Sequence, residues 1–152
     1  MSVGNICVRE VDTITPEESV AVASERMHQR GVGTLIVVND ASQVVGIITD
    51  RDLVLRVLAR GLSPTETSVR DCMTVGPKTA FEHTPIETAL LAMRAGRFRR
   101  MPVVDRNCKL KGLITLDDIL MLLAEEFSQI GRLLKRETPR STMEESDALL
   151  SH

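Results

Sequence analysis

At 152 residues and 43% hydrophobic content, the chain is large enough for one compact domain or for two half-domains sharing a core. Three Phe with no Trp or Tyr leave no aromatic platform of the kind that stacks on single-stranded nucleic acid, and a net charge of −2 gives no overall pull toward nucleic acid or membrane. Three scattered cysteines, Cys7, Cys72 and Cys108, and a start without a basic stretch leading into an apolar run imply a cytoplasmic protein with reduced thiols; the longest apolar stretch, Ile119 to Ala124, is far too short to span a bilayer.

In chain order, Val11 to Thr15 reads as a short extended run, followed by a helical pattern from about Ser19 to Arg30. Val20, Ala23 and Met27 share one face of that helix, and Gly31 supplies a left-handed stop. The β-branched runs Thr34 to Val38 and Val44 to Thr49 flank Asn39-Asp40-Ala41-Ser42-Gln43, a hairpin connection by composition. A second helix follows from Asp52 to Arg60, ended by Gly61, and then a polar linker, Leu62 to Ser68. Thr79 to Phe81 is again extended. Thr84-Pro85-Ile86-Glu87 has the Thr-x-x-Glu spacing and N1 proline of a helix start, with the helix ending at Gly96. Met101 to Val104 and Leu110 to Thr115 pair as strands, and Pro102 predicts that the first is an edge or irregular. The last helix runs on through Phe127, Ile130 and Leu134, and the polar segment from Glu137 to His152 is expected to be largely disordered.

These elements are one motif written twice. Shifting residues 3–58 by 66 positions, without a gap, lays them on 69–124 with ten identities, among them Gly46/Gly112, Thr49/Thr115 and Asp52/Asp118. Such self-similarity predicts equivalent units that bury surface against each other, and a cleft between them is a natural ligand site. Two helices, Leu53 to Ala59 and Ile119 to Ala124, are more apolar than one buried face requires, which predicts a homodimer.

The strand that ends each repeat leads directly into a helix through Thr-x-x-Asp: Thr49 to Asp52 and Thr115 to Asp118. A carboxylate there can accept both hydroxyls of a ribose, while the threonine hydroxyl and the free N–H groups of the helix start face a phosphate. The same spacing is also a capping box that merely satisfies orphan helix donors, and spacing alone leaves both readings open. The basic cluster Arg94, Arg97, Arg99, Arg100, Arg106, Lys109 and Lys111 is ordinarily a solvated face; alternatively Arg99 or Arg100 pairs with a ligand phosphate. His28, His83 and His152 lack metal-ligand spacing, the cysteines read as small apolar residues, and no Gly-x-Gly-x-x-Gly or Walker loop is present. No nucleophile, base and oxyanion constellation can be assembled, so neither a catalytic nor a metal site is expected.

The pattern Thr13-Ile14-Thr15-Pro16, then Leu35 to Asp40, then Val45 to Leu53 resembles a CBS domain, named after cystathionine β-synthase. So does Val69 to Thr74, followed by Arg99 to Asp105 and Gly112 to Ile119. The resemblance covers about residues 3–127 and implies a tandem pair: an α/β (α+β) fold of two pseudo-twofold related repeats, each a small sheet packed on two helices. Its boundaries are repeat one at 1–61, linker 62–68, repeat two at 69–127, and a helical extension with tail at 128–152. It further implies a regulatory, non-enzymatic module that binds an adenosine ligand (AMP, ADP, ATP, NAD or S-adenosylmethionine) and signals occupancy to an effector protein. By resemblance the first cleft uses Thr13, Ile14, Thr15, Ile36, Thr49 and Asp52, and the second Thr79, Ala80, Phe81, Pro102, Thr115 and Asp118. Ile36 departs from the family's usual proline. The rival reading is an interaction or nucleic-acid-binding scaffold that uses the basic cluster at 94–111 while the clefts stand empty.

Overall fold

The structure, a computed structural model, describes residues 1–137. Two compact units are defined, Met1–Asp118 and the segment from Ile119 onward. In the first, β1 (Thr13–Ile14), β2 (Thr34–Val38), β3 (Val44–Thr49) and β4 (Thr74–Val75) form a four-stranded sheet in that order, and β5 (Ala80–Phe81), β6 (Arg100–Val104) and β7 (Leu110–Thr115) a three-stranded one. Each sheet is a parallel pair across a helix, α1 (Val20–Arg30) or α4 (Ile86–Gly96), followed by an antiparallel hairpin. The first repeat continues into α2 (Asp50–Leu53), one wide π-helical turn (Val54–Leu58) and, after the linker, α3 (Val69–Cys72). This mixed α/β architecture of two small sheets is the one the repeat implies.

The repeats match down to local defects. Both hairpins shift register at the same point, between Val37 and Val38 and between Val103 and Val104. Ser42 and Cys108, 66 apart, both take a left-handed backbone at φ 60° and 62°. Their turns pair with one another, Val44 N–H donating to the Cys108 carbonyl at 2.9 Å and Leu110 N–H to the Ser42 carbonyl at 3.1 Å.

More consequential is where the leading segments go. Residues before β1 do not join the first sheet: Val3 and Gly4 donate to the carbonyls of Thr84 and Glu82, and Val8 pairs with Leu113 of β7. Residues before β5 do the reciprocal thing, with Val69 and Arg70 donating to Glu18 and Pro16 and β4 pairing with β3. The exchange is tied down outside by the ion pairs Arg9–Glu82 and Arg70–Glu17. Gly46 and Gly112 make the crossing possible, since a Cβ at Gly46 would lie 2.5 Å from the Met73 sulfur and one at Gly112 would lie 2.8 Å from the Val8 carbonyl.

Helix ends follow their chemistry, with one departure. At α1 every one of the first-turn amides finds an acceptor: Val20 on the Thr67 carbonyl, Ala21 on Pro64, Val22 on Ser19 Oγ and Ala23 on the Ser19 carbonyl. The linker is therefore the cap of α1. At α4 the expected Thr84 capping box is not formed; Pro85 is the N-cap, and Thr84 Oγ1 accepts instead from the Phe81 amide at 2.9 Å. Helix α4 ends at Gly96 as read, and the left-handed residue after it is Arg97 (φ 55°), the position equivalent to Gly31; a Cβ at Gly96 would strike the Phe98 ring.

Pro102 stands in the central strand of its sheet, contrary to the edge expectation. The equivalent Ile36 donates its N–H to the Asp12 carbonyl at 3.0 Å. Pro102 has no such donor, and β5 begins only opposite Val103, so the ladder starts just past the proline. The helix expected from Asp52 to Arg60 starts two residues earlier and widens after Leu53, where Ala59 donates five residues back to Val54.

The second unit is helical as described. Helix α5 (Leu116–Glu137) begins in the first unit and carries its apolar residues Leu120, Met121, Leu123, Phe127, Ile130, Leu133 and Leu134 exposed. The disorder expected for the tail concerns residues 138–152, outside the described ones.

Candidate ligand clefts between the repeats

Both Thr-x-x-Asp turns fold as reciprocal caps. Thr49 Oγ1 accepts from the Asp52 amide at 3.3 Å, while Asp52 Oδ2 accepts from the Thr49 amide at 2.9 Å and its hydroxyl at 3.1 Å. In the second repeat the corresponding distances are 3.1, 3.0 and 2.7 Å. The cap consumes one carboxylate oxygen and leaves the other. Asp118 Oδ1 has no partner among the described residues, so capping and ligand binding are not exclusive there. Asp52 Oδ1 is approached by Arg56 Nε at 3.6 Å, whose position in the second repeat is Leu122. Arg56 also donates to the carbonyls of Cys72 and Met73, tying the wide turn to the C-terminus of α3.

Two clefts related by the 66-residue shift open between the repeats. The first, of about 470 Å³, takes Ile47, Thr49 and Asp52 from the end of β3 and the start of α2, and from the other repeat Thr74, Pro77 and Lys78. Arg97, Phe98, Arg99 and Arg100, before and at the start of β6, complete it. The second, of about 280 Å³, is built from Val8, Glu10, Val11 and Asp12, Val32 to Thr34, Arg100 and Leu113. The strand exchange explains this mixing: β4 pairs with β3, and so sets Thr74 to Lys78 beside the turn of the first repeat.

The sequence-derived residues distribute accordingly. Thr49, Asp52, Arg99 and Arg100 come together in the first cleft. Thr13, Ile14 and Thr15 line a separate depression of about 580 Å³ against α1, crossed by the Glu18–Arg26 ion pair at 2.8 Å, with Arg26 also donating to the Thr13 carbonyl. Ile36, Ala80 and Pro102 are buried, Thr79 is exposed, and exposed Phe81 stacks on His83 with ring centroids 5.5 Å apart. Thr115 and Asp118 are half-buried at the start of α5, two and five residues past Leu113 of the second cleft. Pro77, Lys78 and Thr74 were not foreseen. Their signal was present in the pairing of the repeats, but which repeat a leading segment joins is not written in the repeat.

Of the three thiols, burial raises the pKa of Cys7 and Cys72, which suits apolar packing rather than nucleophilic use; all three are free. Among the described residues no His, Cys, Asp and Glu cluster could hold a metal, and no helix is long and apolar enough to cross a membrane.

The CBS domain model matches residues 3–59 and 69–125, and the chain belongs to the CBS domain family. It is 37% identical over 122 residues to an uncharacterised protein of Methanopyrus kandleri, covering 80% of this chain and 62% of that relative's length. Among solved structures it is similar to the CBS domain pair of protein MJ0100 in complex with 5′-methylthioadenosine and S-adenosyl-L-methionine, at TM-score 0.75, 25% identity and coverage of 83% and 98%. It is likewise similar to CBSX2 in complex with AMP, at TM-score 0.71, 29% identity and coverage of 82% and 96%.

Proposed function

We propose that the chain is a regulatory, non-enzymatic module that binds an adenosine-containing ligand between its repeats and reports occupancy to an effector protein. The observation that carries this is the first cleft, where a strand end, a helix start, the Asp52 carboxylate and the guanidiniums of Arg99 and Arg100 converge. Carboxylate and helix start suit a ribose and its first phosphate; the guanidiniums suit the phosphate alone. Relatives of similar fold solved with AMP and with adenosyl ligands support the same ligand class. The binding residues in this reading are those that the family resemblance implies, Thr13, Ile14, Thr15, Ile36, Thr49, Asp52, Thr79, Ala80, Phe81, Pro102, Thr115 and Asp118, with Arg99 and Arg100 from the basic cluster, to which the cleft lining adds Lys78. Three free thiols favour a cytoplasmic setting, and the exposed apolar faces of the wide turn and α5 favour a homodimer.

A thermal-shift panel of AMP, ADP, ATP, NAD and S-adenosylmethionine tests the reading. At least one ligand at a hundred times its Kd should stabilise folding by about 2.7 kcal/mol. A flat panel at millimolar concentration sinks it. A steep salt slope for RNA or DNA binding would favour the scaffold reading.

A further inference from the structure

The two clefts are equivalent in backbone and opposite in charge. In the first, Arg51, Lys78, Arg97, Arg99 and Arg100 face only two carboxylates, Asp50 and Asp52. Arg51, Lys78, Arg97 and Arg100 have no ion pair among the described residues, whereas Arg99 pairs with Asp117 at 3.2 Å. In the second, Glu10 and Asp12 outnumber the single cation, Arg100, and Asp12 is held at 2.7 Å by Arg30 from outside the lining.

The difference is written position by position across the 66-residue shift. Lys78 corresponds to Asp12, Arg97 to Gly31, Arg99 to Gly33 and Arg100 to Thr34. At Gly33 a Cβ would lie 2.8 Å from the carboxylate of the exposed Asp50 side chain, which would have to swing aside. Thr34 adds a second, independent observation. It is 8% exposed, it lines the second cleft, and its Oγ1 is buried without a hydrogen-bond partner among the described residues. A buried hydroxyl is rarely left unsatisfied, and a ligand hydroxyl or amine in that cleft would satisfy it.

We propose that the clefts take adenosyl ligands of opposite charge: the first a phosphorylated nucleotide, the second an uncharged or cationic nucleoside. The inference rests on the adenosyl reading above and divides it between two sites. A phosphate entering the second cleft would meet Glu10, which has no ion pair among the described residues, and Asp12, already paired with Arg30, with Arg100 the one cation of the lining. That guanidinium, Arg100, lines both clefts, so a phosphate in the first draws it away from the second.

The test is calorimetric titration of the full chain with two probes of one shape, AMP and 5′-amino-5′-deoxyadenosine, whose 5′ group is cationic. Each should bind one site per chain, and saturation with either should leave the other's site open. Lys78→Asp should weaken AMP at least tenfold and spare the amine. Glu10→Lys, at an exposed position without an ion pair, should weaken the amine tenfold and open a second AMP site. Two AMP sites of equal affinity on the unaltered chain, or competition between the probes for one site, would overturn the division while leaving the adenosyl reading intact. If neither probe binds, and adenosine and S-adenosylmethionine do not bind either, the adenosyl reading itself falls.

Discussion

At the scale of single residues, Asp52 and Asp118 do structural work whatever they bind, because each closes a reciprocal cap. Asp118→Asn should therefore cost about 1 kcal/mol of stability from the cap, on top of any loss in ligand affinity. Chemical denaturation with and without ligand separates the two: a stability loss with unchanged binding leaves the cap as the whole role. The glycines at the crossing differ in what they abut. A Cβ at Gly46 meets chiefly the end of the Met73 side chain, which can move, while one at Gly112 meets the Val8 backbone. Gly112→Ala should lose roughly 1–3 kcal/mol and Gly46→Ala measurably less, read as denaturation midpoints. Glu18 titrates below the ordinary glutamate range, chiefly through its hydrogen bond from Arg26, with the Thr15 amide adding to it. A carboxylate whose folded pKa is depressed stabilises the fold above the unfolded value, and that contribution is lost as pH falls through the folded one. The stability gap between the unaltered protein and Glu18→Gln should thus be full at neutral pH and close below about pH 4; a gap independent of pH would show that the ion pair is not its source.

At the scale of elements, what was legible in the sequence is what local chemistry decides. Ser19 and Gly31 bound α1 as read, the first hairpin stands at the residues given by its β-branched runs, and the second matches its reading except that β6 begins one residue earlier, at Arg100. Short pieces such as α3 and β4 were missed because four and two residues carry no period, and each is held by partners distant in sequence. The Thr84 cap failed for a competing reason, its hydroxyl being used by the Phe81 amide. Along α5, Leu116, Leu120, Leu123, Phe127, Ile130 and Leu134 recur at alternating intervals of four and three, the seam of a helix that supercoils with another. Leu122 is only half-buried, whereas Leu120 and Met121 are 51% and 75% exposed. The decisive substitution is therefore Leu120→Glu. It should leave the melting temperature of the isolated chain nearly unchanged and convert a dimeric mass to a monomeric one in light scattering. A monomeric mass for the unaltered chain at micromolar concentration would remove the dimer.

At the scale of the whole molecule, the 66-residue shift made the duplication, the paired clefts and the Thr-x-x-Asp turns visible, because repetition survives in sequence. It hid the exchange, because a segment that completes its own repeat and one that completes its neighbour have the same residues. The resemblance groups Thr13 to Thr15 with Thr49 and Asp52; in the structure Thr13 to Thr15 line the depression against α1, and the cleft at Thr49 is completed by residues of the other repeat. The exchange also makes the halves mutually dependent for their edges. A chain cut within Leu62 to Ser68 would behave as a two-piece lock: each fragment alone presents an open strand edge on β3 or β7, and only its counterpart carries the segment that closes it. Co-expressed fragments 1–61 and 69–137 should copurify as a one-to-one pair, while either alone should aggregate or swap with copies of itself.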